Sequence, residues 1–350
     1  MSSPFKRHVA IGDPQSSFER FHWLLEHHRL LGPRGALRED VPLVSIGDHF
    51  DWGGRDARAQ ATRDGARILE WLAAHPPRQA VILAGNHDLA RVGELAPFDD
   101  AAFRRARARA DQAYRDGRPD RRLEAALKAE HPTIATAEVL ARDFSAFDVA
   151  QRALVTRLLR AGRLLLAHEH RGLLLVHAGV TRRALRQLGI AATSARGVAT
   201  ALNRFLARRV KAWRKGALDL APFHVPGDST GEGGGALYHR AADPAGGSAA
   251  SFSGPRPRRF DPRDLPRRFP QAIGHVRHQK SATLMREWTV GPTAGDGPIR
   301  TLAFEGKTPR YQAGLQRGAL LYFLDGGMHH LGDLRRYELL DLDERAPLAP

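Results

Sequence analysis

Five short polar clusters along the 350-residue chain combine side chains that bind metal ions and move protons. They are Gly12-Asp13-Pro14-Gln15, Gly47-Asp48-His49-Phe50-Asp51, Gly85-Asn86-His87-Asp88, His177-Ala178-Gly179 and Gly274-His275-Val276-Arg277-His278. Carboxylate, amide and imidazole donors without thiolate suit manganese, iron, zinc or similar divalent ions. Two such ions need a carboxylate between them, and Asp48 is the natural bridge. Cys is absent, which excludes disulfides and thiolate metal sites and fits a reducing compartment. Each cluster alone has a blander reading. A Gly-Asp after a strand is usually a turn, a lone His at a strand end is usually structural, and Asp88 could cap the helix behind it. The metal-site reading rests on all five clusters, each following an apolar run.

Those runs define the scaffold. Residues 8–11, 41–46 and 80–83 are strand candidates, and residues 18–31 and 56–74 between them carry helical apolar stripes. Alternating strand and helix imply right-handed crossovers and a mostly parallel sheet. The carboxyl ends of such strands bring Asp13, Asp48, Asn86 and His87 to one crevice. The Gly opening each cluster lets the backbone turn sharply. Residues 99–160, rich in Ala and Arg, read as a helical insertion or cap. Residues 163–168 and 173–177 read as a hairpin, and 195–215 as a basic amphipathic helix. The Gly, Pro, Ser and Arg-rich stretch 216–270 reads as a long, partly mobile loop. Strand candidates return at 272–273, 283–288, 300–304, 319–324 and 336–340, so the last part is antiparallel or mixed. The expectation is one α/β domain over residues 1–350.

The net charge is +16, and 48 of the 54 basic residues are Arg. A solvated basic surface is the first explanation, with a mild pull toward polyanions such as phosphorylated protein, nucleotides or nucleic acid. Aromatic residues are only 7% and form no stacking platform, which disfavours nucleic acid. No apolar run approaches the ~18 residues of a spanning helix. Residues 1–7 carry no apolar signal segment, so a cytoplasmic protein without membrane contact is expected.

The ordered clusters resemble the calcineurin-type metallophosphoesterase superfamily. The spacing of the first three is similar to that of its phosphoprotein phosphatase branch, which includes bacterial protein phosphatases and symmetrical diadenosine tetraphosphatases. Gly85-Asn86-His87-Asp88-Leu89 and Val176-His177-Ala178-Gly179-Val180 look especially like bacterial members, and Leu324-Asp325-Gly326-Gly327 resembles the family's Leu-Asp-Thr-Gly strand end. The resemblance covers roughly residues 8–90, 163–182 and 270–340. It implies a four-layer α/β/β/α sandwich with two divalent ions at one sheet edge, manganese first and iron, zinc or magnesium as alternatives. By the same likeness Asp13 and Gln15 hold the first ion, Asp48 bridges, and Asn86, His177 and His275 hold the second. His87 is then the general acid, oriented by Asp88 or Asp51. Two cations acidify a bridging water, the hydroxide attacks phosphorus in line, and an imidazolium protonates the departing alkoxide. The implied reaction is phosphomonoester hydrolysis of the protein Ser/Thr phosphatase kind. Hydrolysis of dinucleoside polyphosphates, a phosphodiesterase, and a metal-binding regulatory protein without activity are the alternatives.

Several positions depart from the family pattern. Gln15 stands where the family has His, and a neutral amide weakens the first site or favours a harder ion. His278 stands one residue farther from His275 than the family's second His. Trp52 stands where a phosphate-binding Arg is common, and Arg55 three residues on could substitute. Ala236-Leu237-Tyr238-His239-Arg240 resembles a Pro-Leu-Trp-x-Arg segment of some bacterial phosphatases, which makes Arg240 a candidate to grip two phosphoryl oxygens at once. His49 is expected to face away from the metals, and His168 and His170 to be structural or exposed.

Overall fold

Successive residues of the apolar runs face different neighbours, as they must in sheets covered on both faces. The computed structural model describes residues 7–291 and 295–349. The chain first lays down β1 (Val9–Ile11), α1 (Phe18–His27), β2 (Leu43–Ser45), α2 (Arg58–Ala74), β3 (Ala80–Leu83) and the short α3 (Asn86–Ala90). Helices α4 (Asp100–Ala113), α5 (Arg121–Glu130) and α6 (Val149–Arg160) follow, then β4 (Leu164–Leu165), β5 (Ala167–His170), β6 (Leu173–Val176), α7 (Arg182–Gln187) and α8 (Ala195–Ala212). The last part holds α9 (Ala249–Ser253), β7 (Gln271–Ile273), α10 (His278–Met285), β8 (Arg300–Glu305), β9 (Thr308–Ala313), β10 (Leu321–Phe323), β11 (Leu340–Asp341) and β12 (Ala346–Pro347).

Two six-stranded sheets result. One runs β12-β11-β1-β2-β3-β4 and is parallel from β1 to β4; the other runs β9-β8-β10-β7-β6-β5 and is parallel from β10 through β7 to β6. Ala10, Val44, Ile46, Val81 and Leu83 of the first sheet share a buried cluster with Leu173, Leu175, Ala272, Tyr322 and Leu324 of the second. The alternate residues point outward. Val9, Ile11, Leu43 and Ile82 lie in the larger core with Phe21, Leu24, Ile68 and Leu69 of α1 and α2, as do Leu174 and Val176 with Val198 and Leu202 of α8. The layering is helix, sheet, sheet, helix, a mixed α/β fold as the resemblance implies. Among the described residues no helix is long and apolar enough to cross a membrane.

Several elements differ from the sequence reading. Helix α1 stops at His27 rather than at residue 31, because Arg29 takes a left-handed φ of 56°. The expected strand at 163–168 divides: Leu164–Leu165 joins the first sheet and Ala167–His170 the second. The expected strand at 283–288 is the end of α10 and a 3-10 turn, Arg286–Trp288; Ser281 and Met285, four residues apart, form its buried face. The expected strand at 336–340 becomes a 3-10 turn at Leu334–Arg336 and the two-residue β11. Within 216–270, Leu218, Leu220, Phe223 and Leu237 bury in the core and Arg240–Ala241 pairs with Arg259–Phe260. That stretch is pinned at intervals rather than free.

Helices α4 and α5 build a second core of Phe98, Phe103, Ala106, Leu127, Leu140 and Phe147, which also takes in Tyr238. Helix α6 turns Leu154, Val155, Leu158 and Leu159 into the main core instead. The insertion's own packing therefore ends before α6 begins.

Candidate metal centre and active site

All five polar clusters meet at the carboxyl ends of the strands. Room for their carboxylates comes from glycine. A Cβ on Gly274 would sit 1.9 Å from Asp13 Oδ1, and one on Gly85 would sit 2.0 Å from Asp48 Oδ1. Close approach, not a sharp turn, is the reason for these two glycines, since neither has a positive φ. The turns are made by Gly47, at φ 99°, and by site candidates themselves. Asp48, Asp51 and His275 lie in the left-handed region at φ 55°, 63° and 68°, a conformation that costs non-glycine residues about 1–3 kcal/mol each and gathers at functional sites.

The centre is a convergence of lone pairs. His177 Nδ1 lies 2.9 Å from the Ile46 carbonyl and donates to it, which leaves Nε2 as the free nitrogen. That Nε2 is 3.2 Å from Asn86 Oδ1, 3.2 Å from His275 Nδ1 and 3.3 Å from Asp48 Oδ2. His275 Nε2 donates to the Tyr238 carbonyl at 2.9 Å, so its Nδ1 also turns a lone pair inward. Four acceptor atoms around one point need a positive charge. Asp48, His177 and His275 together have the spacing of a metal-ligand set, and the donor chemistry fits a divalent cation.

Asp13 stands beside this group, with both oxygens accepting the His275 backbone N–H at 3.0 and 2.8 Å. Burial, with Asp325 and Asp48 nearby, pushes its carboxyl well above the usual range. Burial likewise lifts Asp325 to about 6. Buried acids this close repel unless a cation lies among them. Burial works against ionisation of Asp48 too, but His177 and His87 hold it below the ordinary value. Burial, then Arg240 and His177, drives His275 well down, so it stays neutral and able to ligate.

His87 faces the same space. Its Nδ1 is 3.0 Å from Asp51 Oδ2, and its Nε2, 3.9 Å from Asp48 Oδ2, has no hydrogen bond among the described residues. Burial opposes its charge, but Asp48 and Asp51 raise it to about 9. Of the two candidate partners, Asp51 is the one in contact. Asp51 also accepts from Arg91 at 2.5 Å and from the Ala146 N–H at 3.0 Å. Asp88 instead accepts the backbone N–H groups of Gly85, Asp48 and His49 and bonds the His49 ring at 3.0 Å. The other nitrogen of that ring lies 2.9 Å from Ser45 Oγ, and the group is fully buried. Asp88 thus ties the β2 and β3 loops together, and His49 faces away from the centre as expected.

The remaining candidates are spread out. Gln15 donates through Nε2 to the carbonyls of Phe50 and Asp51 at 2.8 and 3.2 Å, joining the first loop to the second. His278 bonds the Tyr311 hydroxyl at 2.8 Å from inside α10 and is not among the converging atoms. Arg55 is spent on Asp111 and on the carbonyls of Asp111 and Tyr114. Trp52 is buried with Ala61 and Ala146 and packs on His329. Arg240 lines the cavity that opens from Asn86 and His87. His168 and His170 lie on β5, outside the centre.

Sequence reading missed Arg91, Asp325 and the Glu94–Tyr238 contact. Arg91 sits one helical turn past His87 and holds both Asp51 and the His87 carbonyl, so the i, i+4 spacing was its signal. Tyr238 donates to Glu94 at 2.5 Å across 144 residues, which no local pattern reveals.

A family model described as calcineurin-like phosphoesterase matches residues 6–189. The chain belongs to that family, whose members are hydrolases acting on phosphoric esters. Among solved structures it is similar to a cold-active protein-tyrosine phosphatase of a psychrophile Shewanella sp., at 12% identity and a TM-score of 0.43, with 99% of this chain and 81% of the other covered. It is also similar to a protein serine/threonine phosphatase from Saccharomyces cerevisiae, at 12% identity and a TM-score of 0.35, with 89% and 67% covered. No protein of curated function matches the sequence.

Proposed function

We propose that this chain is a phosphomonoesterase working with two divalent metal ions, manganese foremost. The reading is carried by one observation: His177, Asn86, His275 and Asp48 turn acceptor atoms to a common point, beside an imidazole held by Asp51. Asn86, His177 and His275 would hold one ion, Asp13 the other, and Asp48 both. Bound there, the ions supply Lewis acidity toward the phosphoryl oxygens and toward the attacking water. Gln15 is read as a loop tie rather than a strong ligand, which leaves the first ion the weaker of the two.

The protein's own groups do the rest. Asp51, itself fixed by Arg91 and the Ala146 N–H, orients the ring through His87 Nδ1, and Asp48 and Asp51 together favour its charged form. His87 Nε2–H has no hydrogen-bond partner among the described residues and lines the cavity, so it can protonate the departing oxygen as the P–O bond breaks. Arg240 reaches the same cavity without an ion-pair partner among the described residues and is suited to grip the phosphoryl group. Residues up to Phe147 form a cap over the site within a single domain.

The test is hydrolysis of p-nitrophenyl phosphate and of bis(p-nitrophenyl) phosphate by metal-stripped protein, with and without manganese. Manganese-dependent cleavage of the monoester is the expected result. Cleavage of the diester alone would replace this reading with a phosphodiesterase. Neither activity, in folded protein that binds manganese, would leave a binding role.

A further inference from the structure

The cavity beside His87 is small, about 260 Å³, below the roughly 300–1,000 Å³ of drug-sized ligand pockets. The insertion roofs it through Thr133, Val139 and Phe144, and Gly227 and Gly233 come from the Gly-rich stretch opposite. A phosphorylated loop of a folded protein needs an open groove, and two chain segments lie over this one.

Besides His87, four arginine and lysine side chains line the cavity: Arg142, Arg240, Arg258 and Lys280. Two are neutralised. Arg142 pairs with Glu138 at 2.5 Å and with Asp143 at 2.9 Å, and Arg258 pairs with Glu232. Glu94, the remaining acid on the wall, accepts from Tyr238 through Oε1, which also lies 3.5 Å from His224 Nε2, while its Oε2 is buried without a hydrogen bond among the described residues. Arg240 and Lys280 have no acidic partner at ion-pair distance among the described residues, and Arg240 Nε is buried without a hydrogen bond. The two also repel each other. Arg240 foremost, then burial, brings the Lys280 ammonium down to about 8; burial, then Arg258, brings Arg240 to about 10. Two unpaired cations at one small cavity are best satisfied by a ligand with two anionic ends.

We infer that Lys280 is a second substrate-recognition group, and that the substrate is a small phosphomonoester with a further anionic group at its far end. This rests on the phosphomonoesterase reading, in which Arg240 takes the scissile phosphoryl group and leaves Lys280 for the second anion. Lys280 reaches the cavity from α10, five residues past His275, and is itself solvent-exposed. The second charge of such a substrate would then meet a solvent-exposed ammonium.

A matched series tests the inference in manganese-loaded protein. Glycerol 3-phosphate carries no second anion, 3-phosphoglycerate ends in a carboxylate, and glycerol 1,3-bisphosphate ends in a second phosphate. The expected kcat/KM for one or both anionic compounds exceeds that for glycerol 3-phosphate by about ten-fold or more, as one charge-assisted contact provides. The compound preferred identifies the anion. Lys280→Ala brings the ratio close to one, mainly through KM, and Lys280→Arg restores it. Equal rates across the series in the wild type overturn the inference, as does an intact preference in Lys280→Ala. So does a phosphoserine peptide turned over as well as the small bis-anions. If p-nitrophenyl phosphate is cleaved but the series shows no preference, this inference alone fails; if it is not cleaved, the phosphomonoesterase reading fails and takes this one with it. Calorimetric binding of 3-phosphoglycerate to His87→Ala, weakened by adding Lys280→Ala, supports the contact without turnover, and unchanged affinity counts against it.

Discussion

Asp48 is held by contacts that an amide could largely keep. Oδ1 accepts the His87 backbone N–H at 2.8 Å, and the Asp48 backbone N–H donates to Asp88. Asp48→Asn preserves both bonds and removes the charge between the two proposed ions. The expected outcome is nearly complete loss of kcat/KM with little change in melting temperature; wild-type-like turnover in folded protein would remove Asp48 from the bridging role. His87 makes a different prediction. A general acid is worth about 10²–10⁴-fold where the leaving group needs a proton. His87→Ala should therefore lose that much on an alkyl phosphate and far less on p-nitrophenyl phosphate, and equal losses on both would argue against proton donation. At this scale the sequence carried the residue types but not the pairings. Asp51 and Asp88 are both near His87 in the motifs, and only the left-handed φ at Asp51 turns its carboxylate to the ring while Asp88 is consumed by backbone N–H groups. Likewise His278 has the right type and nearly the right spacing, but α10 begins at that residue and carries its ring to Tyr311.

Helix α4 is clamped to α2 through one acid. Arg58 binds Asp111 with two bonds of 2.7 Å each, and Arg55 adds a third contact at 3.4 Å. Arg58 also donates to the Ala141 carbonyl, so the clamp fixes the segment that runs on to Asp143 and Phe144 over the cavity. Asp111→Ala leaves a mostly buried guanidinium without its carboxylate and should cost about 1.5–3 kcal/mol of stability. It should also raise KM for small substrates, because the roof above His87 loses its anchor; unchanged denaturation midpoint and unchanged KM would show that the insertion is held elsewhere. Residues 99–160 were legible as helical from their Ala/Arg texture, and α4 starts where that texture starts, with Asp99 as its cap. The insertion's upper boundary was not legible. Leu154, Val155, Leu158 and Leu159 look like any amphipathic stripe, and which core they enter depends on α2.

The two-sheet architecture was read from family likeness, and the reason lies in the chain's order. Local periodicity identifies strands, but β4 and β5 are separated by Leu166 alone and belong to different sheets. A clasp near this division joins distant parts of the chain. Asp343, just past β11, accepts the His8 backbone N–H at 3.0 Å and lies 3.1 Å from the His8 ring beside β1; its other oxygen lies 2.9 Å from His170 at the end of β5. The same carboxylate thus grips both sheets. Burial opposes its ionisation, but the His8 N–H and the His170 and His8 rings lower it to about 2, against about 3.9 for an unfolded Asp. Between these values the unfolded chain binds the proton and the folded chain does not. The clasp therefore contributes its full stability above about pH 4 and loses it as pH falls toward 2. Asp343→Asn lacks that contribution at every pH. The gap between wild-type and variant urea midpoints should be widest at pH 5 and should shrink by half or more at pH 2, while other acids, common to both proteins, cancel in the comparison. A gap that stays constant from pH 5 to pH 2 would mean that the carboxylate's charge does not hold the sheets together there.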